Sequence, residues 1–245
     1  SMFPQLIKKP LQVAAVQDPA PNARLLFFNL GAINFQYSPG QYVSMTLNTA
    51  KDRSETHPFS ISSSPTEKGR LIIAAKLGES DFRKAIAGIQ PDDTIKFSGP
   101  YGRFMLHQNT ARSAVMLAWD IGIAPFRSMV RYAADVMPSM EITLIHAVRV
   151  PEDILFKEEF ENIQRQNPNF KIIYTVKEPE SSETIWAGKV GHITTELIAE
   201  SISDNKDAIF YVCGISSFIE DTARLLKTLN VPQKHIRTES FTDYG

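Results

Sequence analysis

Three stretches of this chain combine residue types and spacings that could do chemistry. His57-Pro58-Phe59-Ser60, continued by Ile-Ser-Ser-Ser-Pro65, places an aromatic ring beside a proline and follows it with hydroxyls at Ser60, Ser62 and Ser63. A flat heteroaromatic cofactor needs such a pairing, a surface to stack on and donors for its ring nitrogens. A barrel strand followed by a serine-rich loop accounts for the same letters. Ser98-Gly99-Pro100-Tyr101-Gly102 is a tight loop whose two glycines either let backbone approach a ligand closely or simply turn the chain. Ala114–Arg127, AVMLAWDIGIAPFR, reads as a buried strand, a break at Gly122 and a helix opening at Pro125. Phe126, Met129, Val130, Ala133, Ala134 and Met137 continue it at helical spacing. In an open α/β sheet such a turn faces the crevice where ligands bind, and the helix N-terminus favours a phosphate. An ordinary strand-to-helix turn is the alternative. Trp119 and Asp120 stand where a phosphate-binding turn would take small, uncharged residues.

Other candidates have plain readings. The histidines at 57, 107, 146, 192 and 235 show no i,i+4 or clustered spacing, so no metal site is expected. The single cysteine, Cys213, excludes an internal disulfide and any cysteine-based zinc or iron–sulfur centre. With no His or Lys close in sequence it reads as a small apolar core residue rather than a nucleophile. Trp186 reads as loop packing, and Glu158, Glu159 and Glu161 as the wet face of a helix.

The elements that must position these residues change character near residue 107. Before it, Leu11–Val16, Arg24–Leu30, Gln41–Leu47, Pro58–Ser62, Leu71–Lys76 and Thr94–Ser98 read as six short strands, with one helix at Asp81–Ile89. Regular turn signals between them predict a closed antiparallel barrel capped by that helix. After it, strands at 114–118, 141–148, 171–176 and 208–213 alternate with helices from Pro125 and around Phe156–Gln166, Thr194–Ile202 and Ser217–Leu229. A last strand spans Ile236–Phe241, and Ser217 with Glu220 has capping-box spacing. This alternation predicts a parallel sheet covered on both faces. The boundary is placed in His107–Arg112, giving domains 1–108 and 109–245.

The bounds agree with two ordinary globular domains. There are 245 residues, 43% hydrophobic and 22% charged, with a formal net charge of −1. That balance gives no electrostatic reason to expect nucleic acid or an anionic membrane. No apolar run approaches the roughly 20 residues of a membrane helix. Ser1 ahead of Met2 reads as a tag remnant, and SMFPQLIKKP lacks the apolar core of a secretory signal. A cytoplasmic location is expected.

The order HPFS, GPYG, GIAPFRSM, YVCG and a C-terminal ESF resembles the ferredoxin–NADP⁺ reductase superfamily, and most of all its stand-alone flavin-dependent NAD(P)H reductases. The likeness covers nearly the whole chain. It implies an FAD-binding barrel followed by an NAD(P)-binding parallel-sheet domain. By this likeness His57-Pro58-Phe59-Ser60 matches the family's Arg-x-Tyr-Ser: Phe59 would stack on the isoalloxazine and Ser60 would hydrogen-bond near flavin N5. Ala74, Ala75 and Lys76 would line the ribityl and phosphate side. Ser80 would meet the pyrophosphate together with the N-terminus of the short helix. Gly122–Pro125 matches the end of the nucleotide turn, Cys213-Gly214 would lie beside the nicotinamide, and Glu239 and Phe241 would border the flavin. Arg149 could meet the 2′-phosphate of NADP, or be a solvated loop residue.

Three departures from the family pattern are visible. His57 replaces an arginine that pairs with flavin phosphate, and Arg53 is near enough in sequence to substitute. Trp119 and Asp120 replace paired glycines, where a carboxylate would repel a pyrophosphate and an indole would crowd it. Ile215 replaces a proline. The resemblance implies a reductase that passes hydride from NADH or NADPH to FAD in the cleft between domains, with Ser60, Cys213 and Glu239 shaping the reaction. Electrons then pass to a separate acceptor: a ferredoxin, a flavodoxin, free flavin or an oxygenase component. Two alternatives stay open. One is a flavin-binding electron-transfer or regulatory subunit whose nucleotide site is blocked; the other is a structural domain without cofactor.

Overall fold

A computed structural model describes residues 7–50, 53–202 and 207–241; the expectation for Ser1 lies outside them. The chain forms two compact units. One holds residues 7–106 with Ala124–Tyr132, the other His107–Ile123 with residues 133–241.

The first unit is the expected barrel. Its strands are β1 (Ile7–Ala20), β2 (Ala23–Asn29), β3 (Tyr42–Thr49), β4 (Arg53–Ser60), β5 (Arg70–Lys76) and β6 (Thr94–Tyr101), paired antiparallel in the order β4-β3-β6-β1-β2-β5. An antiparallel bridge between Ile61 and Ile73 joins the two ends of that order. Closure removes the free edges that an open sheet would present. Alternation in β3 turns Val43, Met45 and Leu47 inward, where they meet Phe28, Ile95 and Phe97. Helix α1 (Asp81–Gly88) joins the same core through Phe82 and Ile86.

Strand β4 begins five residues earlier than expected and ends two earlier. Its first half, Arg53–Thr56, carries no apolar alternation. It is a strand because it pairs with β3, with Thr46 Oγ1 2.8 Å from Thr56 Oγ1 and Ser54 Oγ donating to Asn48 Oδ1 at 2.8 Å. Strand β1 is also longer than its apolar centre.

The second unit is the expected parallel sheet. Strands β7 (Ala114–Trp119), β8 (Ile142–Val148), β9 (Phe170–Val176), β10 (Lys189–Val190), β11 (Ile209–Gly214) and β12 (Ile236–Ser240) lie in the order β10-β9-β8-β7-β11-β12. The chain winds outward from β7 to β10, then returns to β11 on the other side of β7. The topological switch point therefore falls between β7 and β11. Val115, Leu117, Phe210 and Val212 pack beneath α4 (Thr195–Ser201) and α5 (Ser216–Thr228) through Leu197, Ile198 and Leu226. The intervening Met116, Ala118, Tyr211 and Cys213 point to the opposite face and are also fully buried. Helices α2 (Ala124–Val136) and α3 (Lys157–Gln166) complete the element order.

The capping box expected at Ser217 and Glu220 does not form. Helix α5 starts at Ser216 behind Ile215, an extended residue whose side chain makes no cap. Two-residue β10 was not expected, being too short to show a period.

Helix α1 has no basic residue in its last turn. Arg24 on β2 supplies the missing cation. Its Nη1 donates to the carbonyls of Ala87 (2.6 Å) and Ile89 (3.1 Å), while Nε and Nη2 hold Asp18 at 2.7 and 2.9 Å. Orphan carbonyls at a helix end favour such a partner. Replacing Arg24 with Met should cost about 1–3 kcal/mol, read as a lower midpoint in thermal unfolding; an unchanged midpoint would show that water serves those carbonyls as well.

Candidate functional site

Pairing of β3 with β4 sets Val43 opposite Phe59 and Met45 opposite His57, so both β4 rings share the inward face. The His57 ring lies 4.1 Å from Phe82, and Phe59 stacks on Phe82 at 6.0 Å. Pro58, between them, points outward and is exposed. Ser60 is buried at the strand end. The β4 motif is thereby drawn to α1, at whose N-terminus Ser80 Oγ accepts from Arg83 N–H at 3.3 Å. Ala74 and Ala75 are buried in β5, and Lys76 ends it half-exposed, four residues before Ser80. Arg53 is exposed at the opposite end of β4 from Ser60. Gly99 and Gly102 both carry positive φ, 154° and 98°. A Cβ on Gly99 would come within 3.0 Å of the Val43 side chain.

The serine loop after β4 is held by a residue that sequence reasoning did not single out. Arg127, 6% exposed in α2, donates from Nη1 to Ser62 O and to Glu67 Oε2, both at 2.8 Å, and from Nη2 to Glu67 Oε1 at 3.1 Å. Glu67 Oε2 also accepts from Ser64 N–H at 2.7 Å. Burial opposes ionisation of Glu67, but the Arg127 fork outweighs it and holds the carboxyl below its ordinary range. No local signal links two residues 60 positions apart.

In the second unit, one register row crosses five strands near their carboxyl ends: Tyr174, His146, Ala118, Cys213 and Glu239. Just past it, residues Asp120–Ile123 form a 3₁₀ turn leading into α2. Gly122 lies so close to β11 that a Cβ would sit 2.2 Å from the Cys213 carbonyl oxygen. No other residue fits there without a shift. Asp120 takes a left-handed φ of 50°, a conformation natural to glycine and tolerated by Asp. Its carbonyl accepts from His146 Nε2 at 2.9 Å. Trp119 folds over the end of β11: its Cβ is the neighbour a Gly214 side chain would strike at 2.9 Å, and its ring meets Phe218 of α5 at 6.3 Å.

Cys213 is fully buried, and burial, then the nearby Glu239 charge, push its thiol well above the usual range. Phe241 N–H donates to the Gly214 carbonyl at 2.9 Å, fixing the segment after β12 beside β11. Pro125 occupies the first turn of α2, as expected. Arg149 stands just beyond β8 and is paired with Glu178 at 3.2 Å, half-exposed.

Residues 10–106 match the model of an oxidoreductase FAD-binding domain, and residues 116–224 that of an oxidoreductase NAD-binding domain. The chain belongs to the ferredoxin–NADP⁺ reductase superfamily. It is 25% identical over 209 residues to the glycine betaine monooxygenase reductase subunit of Chromohalobacter salexigens, spanning 84% of this chain and 56% of that protein. It is 32% identical over 165 residues to NADH-cytochrome b5 reductase 1 of Candida glabrata, 66% of this chain and 57% of that one. The chain thus spans little more than half the length of these relatives. Its fold is that of an Amycolatopsis cytochrome P450 reductase, with a TM-score of 0.86 and 21% identity over 100% of this chain and 73% of that one. Among the described residues no helix is long and apolar enough to cross a membrane.

His146 anchors the 3₁₀ turn from within the sheet. Its Nδ1 is buried without a hydrogen-bond partner, and burial holds its pKa down to about 4 from 6.5. The ring is neutral, and its Nε2–H is committed to Asp120. Between those pH values the unfolded chain binds a proton that the folded chain refuses. Stability is therefore whole above pH 6.5 and lost as pH falls toward 4, by about 3 kcal/mol for this one group. A His146→Gln variant should show that much less acid destabilisation between pH 7 and pH 4 in denaturant titrations. Equal losses in both proteins would remove His146 from the account.

Proposed function

We propose that this chain is an FAD-dependent NAD(P)H reductase that delivers electrons to a separate acceptor. Residues 1–108 would carry the flavin and 109–245 the nicotinamide nucleotide. The single observation that supports it most is the pairing of Gly122 against the Cys213-Gly214 backbone at the β7/β11 switch point, in a chain whose barrel matches an FAD-binding domain. Open α/β sheets bind their ligands at that crevice.

The donor chemistry around α1 fits a flavin dinucleotide. Ser60 offers a hydroxyl, Lys76 an ammonium group, and Ser80 with the first turn of α1 the donors a diphosphate requires. Phe59 and Phe82, 4% and 2% exposed, instead pack into the barrel core. They would back the cofactor site from within rather than present the stacking face expected of Phe59. When bound, the flavin supplies N5 as the acceptor of hydride from nicotinamide C4. Ser60 would orient that edge. His57, Ala74, Ala75, Gly99 and Gly102 would shape the wall around the cofactor, and Glu239 and Phe241 would border it. Cys213 is held as a fully buried thiol, so it would fill space beneath the nicotinamide site rather than attack the ring. Pro125 and Gly214 keep the turn compact, and Arg149 would face the adenosine end. No acid or base is required of the protein: its contribution is to hold two rings in register. The relatives named above are reductases of a monooxygenase and of cytochrome b5, and by analogy the acceptor here is a ferredoxin, flavodoxin, flavin or oxygenase component. Adding NADH or NADPH anaerobically to FAD-loaded protein should bleach the flavin band; an unchanged spectrum with both nucleotides contradicts the proposal.

The packing of Trp119 on Phe218 and Gly214 favours a second reading, a flavin-carrying subunit with weakened nucleotide binding. Asp120 adds a carboxylate where a pyrophosphate would approach. Under this reading Asp120→Gly combined with Trp119→Gly tightens NAD(P)H binding by roughly tenfold or more, about 1.4 kcal/mol per decade. An unchanged Kd in nucleotide titrations of the double variant returns the case to the first reading.

A further inference from the structure

We infer that Arg83 is the guanidinium that holds the diphosphate of FAD, taking over the work of the arginine that position 57 lacks. The inference rests on the FAD-binding reading above and names a residue that reading does not use. A diphosphate needs positive charge as well as N–H donors, and a guanidinium fork meets its oxygens two at a time. His57 is poorly suited. Its Nε2 lies 3.3 Å from Glu55 Oε2, and its ring is packed edge-on to Phe82. Arg53 is worse placed: four residues back along an extended strand it is about 13 Å from His57, at the open end of β4, with an exposed side chain.

Arg83 sits in the first turn of α1, three residues past the Ser80 cap. Helical side chains lean toward their own N-terminus, and this one folds back over the loop joining β5 to α1. A Cβ built on Gly78 would meet Arg83 Cδ at 2.8 Å and Nη1 at 3.0 Å. Gly78 does not carry the positive φ that would by itself call for glycine. Its missing side chain leaves room for the Arg83 guanidinium beside the helix N-terminus. The other cation of that turn, Lys84, is drawn aside to Glu79 at 3.2 Å. Asp81, exposed in the same turn, adds negative charge and raises the need for a cation close by. The N-cap hydroxyl, the first-turn amides, Lys76 and Arg83 thus converge on one short loop.

Flavin fluorescence titrations with FAD and with riboflavin, which has no phosphate, test this directly. Arg83→Gln should raise the Kd for FAD roughly 10- to 100-fold and leave that for riboflavin within twofold, with unchanged far-UV circular dichroism. Arg83→Lys should recover part of the loss, and His57→Arg added to Arg83→Gln most of it. Arg53→Gln should change neither ligand. Overturning results are an FAD affinity within twofold of wild type in Arg83→Gln, an equal loss for riboflavin, or a loss in Arg53→Gln instead. A wild-type protein that binds FAD while Arg83→Gln binds it equally well defeats this assignment alone; a wild-type protein that takes up no FAD defeats the FAD reading and this inference with it.

Discussion

A guanidinium with 6% exposure must have its charge and its donors satisfied, and the way Arg127 is satisfied organises the first unit. Its fork takes both oxygens of Glu67 and the carbonyl of Ser62, and the same carboxylate holds the Ser64 amide. The barrel closes within this segment, where Ile61 bridges Ile73 and Ser62 N–H reaches the Ile72 carbonyl at 2.8 Å. A buried ion pair is a poor source of net stability, because desolvation consumes most of the attraction. What it fixes is geometry. The loop that follows Phe59 and Ser60 has one backbone path, and those two side chains inherit it. Tyr37, whose hydroxyl donates to the Ser63 carbonyl at 2.9 Å, pins the same loop from the opposite direction.

The second unit uses a different constraint for the same end. A parallel sheet offers one crevice, at the switch point, and its floor is backbone. Gly122 against the Cys213 carbonyl sets how near the β7 turn can come to β11. His146 then holds the turn from beneath, donating to the Asp120 carbonyl from within the sheet. With Asp120 in the left-handed region, the backbone has the path expected of glycine while the side chains of Trp119 and Asp120 remain. The turn thus keeps a glycine-like backbone path while carrying an indole and a carboxylate.

Much of this was legible in the letters. Period-2 alternation at Val43, Met45 and Leu47 gave a barrel strand, and apolar runs such as 114–118 gave a buried parallel sheet. What escaped had no local signature. The first half of β4 is polar and owes its conformation to β3. Helix α5 begins without the side-chain cap that Ser217 and Glu220 advertised, since tertiary packing sets its start. Arg127 and Glu67, or Arg24 and the α1 carbonyls, meet only after the chain has folded. Tyr211 reads as one more apolar strand position. Folding sets its hydroxyl at the end of the linker, accepting from His107 N–H at 2.9 Å and from Arg237 at 3.3 Å. The site motifs were legible by type and order, whereas the side they face was not: Phe59 and His57 share a face only because Val43 and Met45 lie across from them.

The account depends on the barrel holding a flavin against β4 with its diphosphate at the start of α1. A crystal structure of the FAD complex measures this most directly. The account predicts the isoalloxazine along the end of β4, its N5 edge at Ser60, and the diphosphate between Ser80 and the first turn of α1. A cofactor bound elsewhere, or that space filled by the chain's own side chains in the presence of excess FAD, would contradict it.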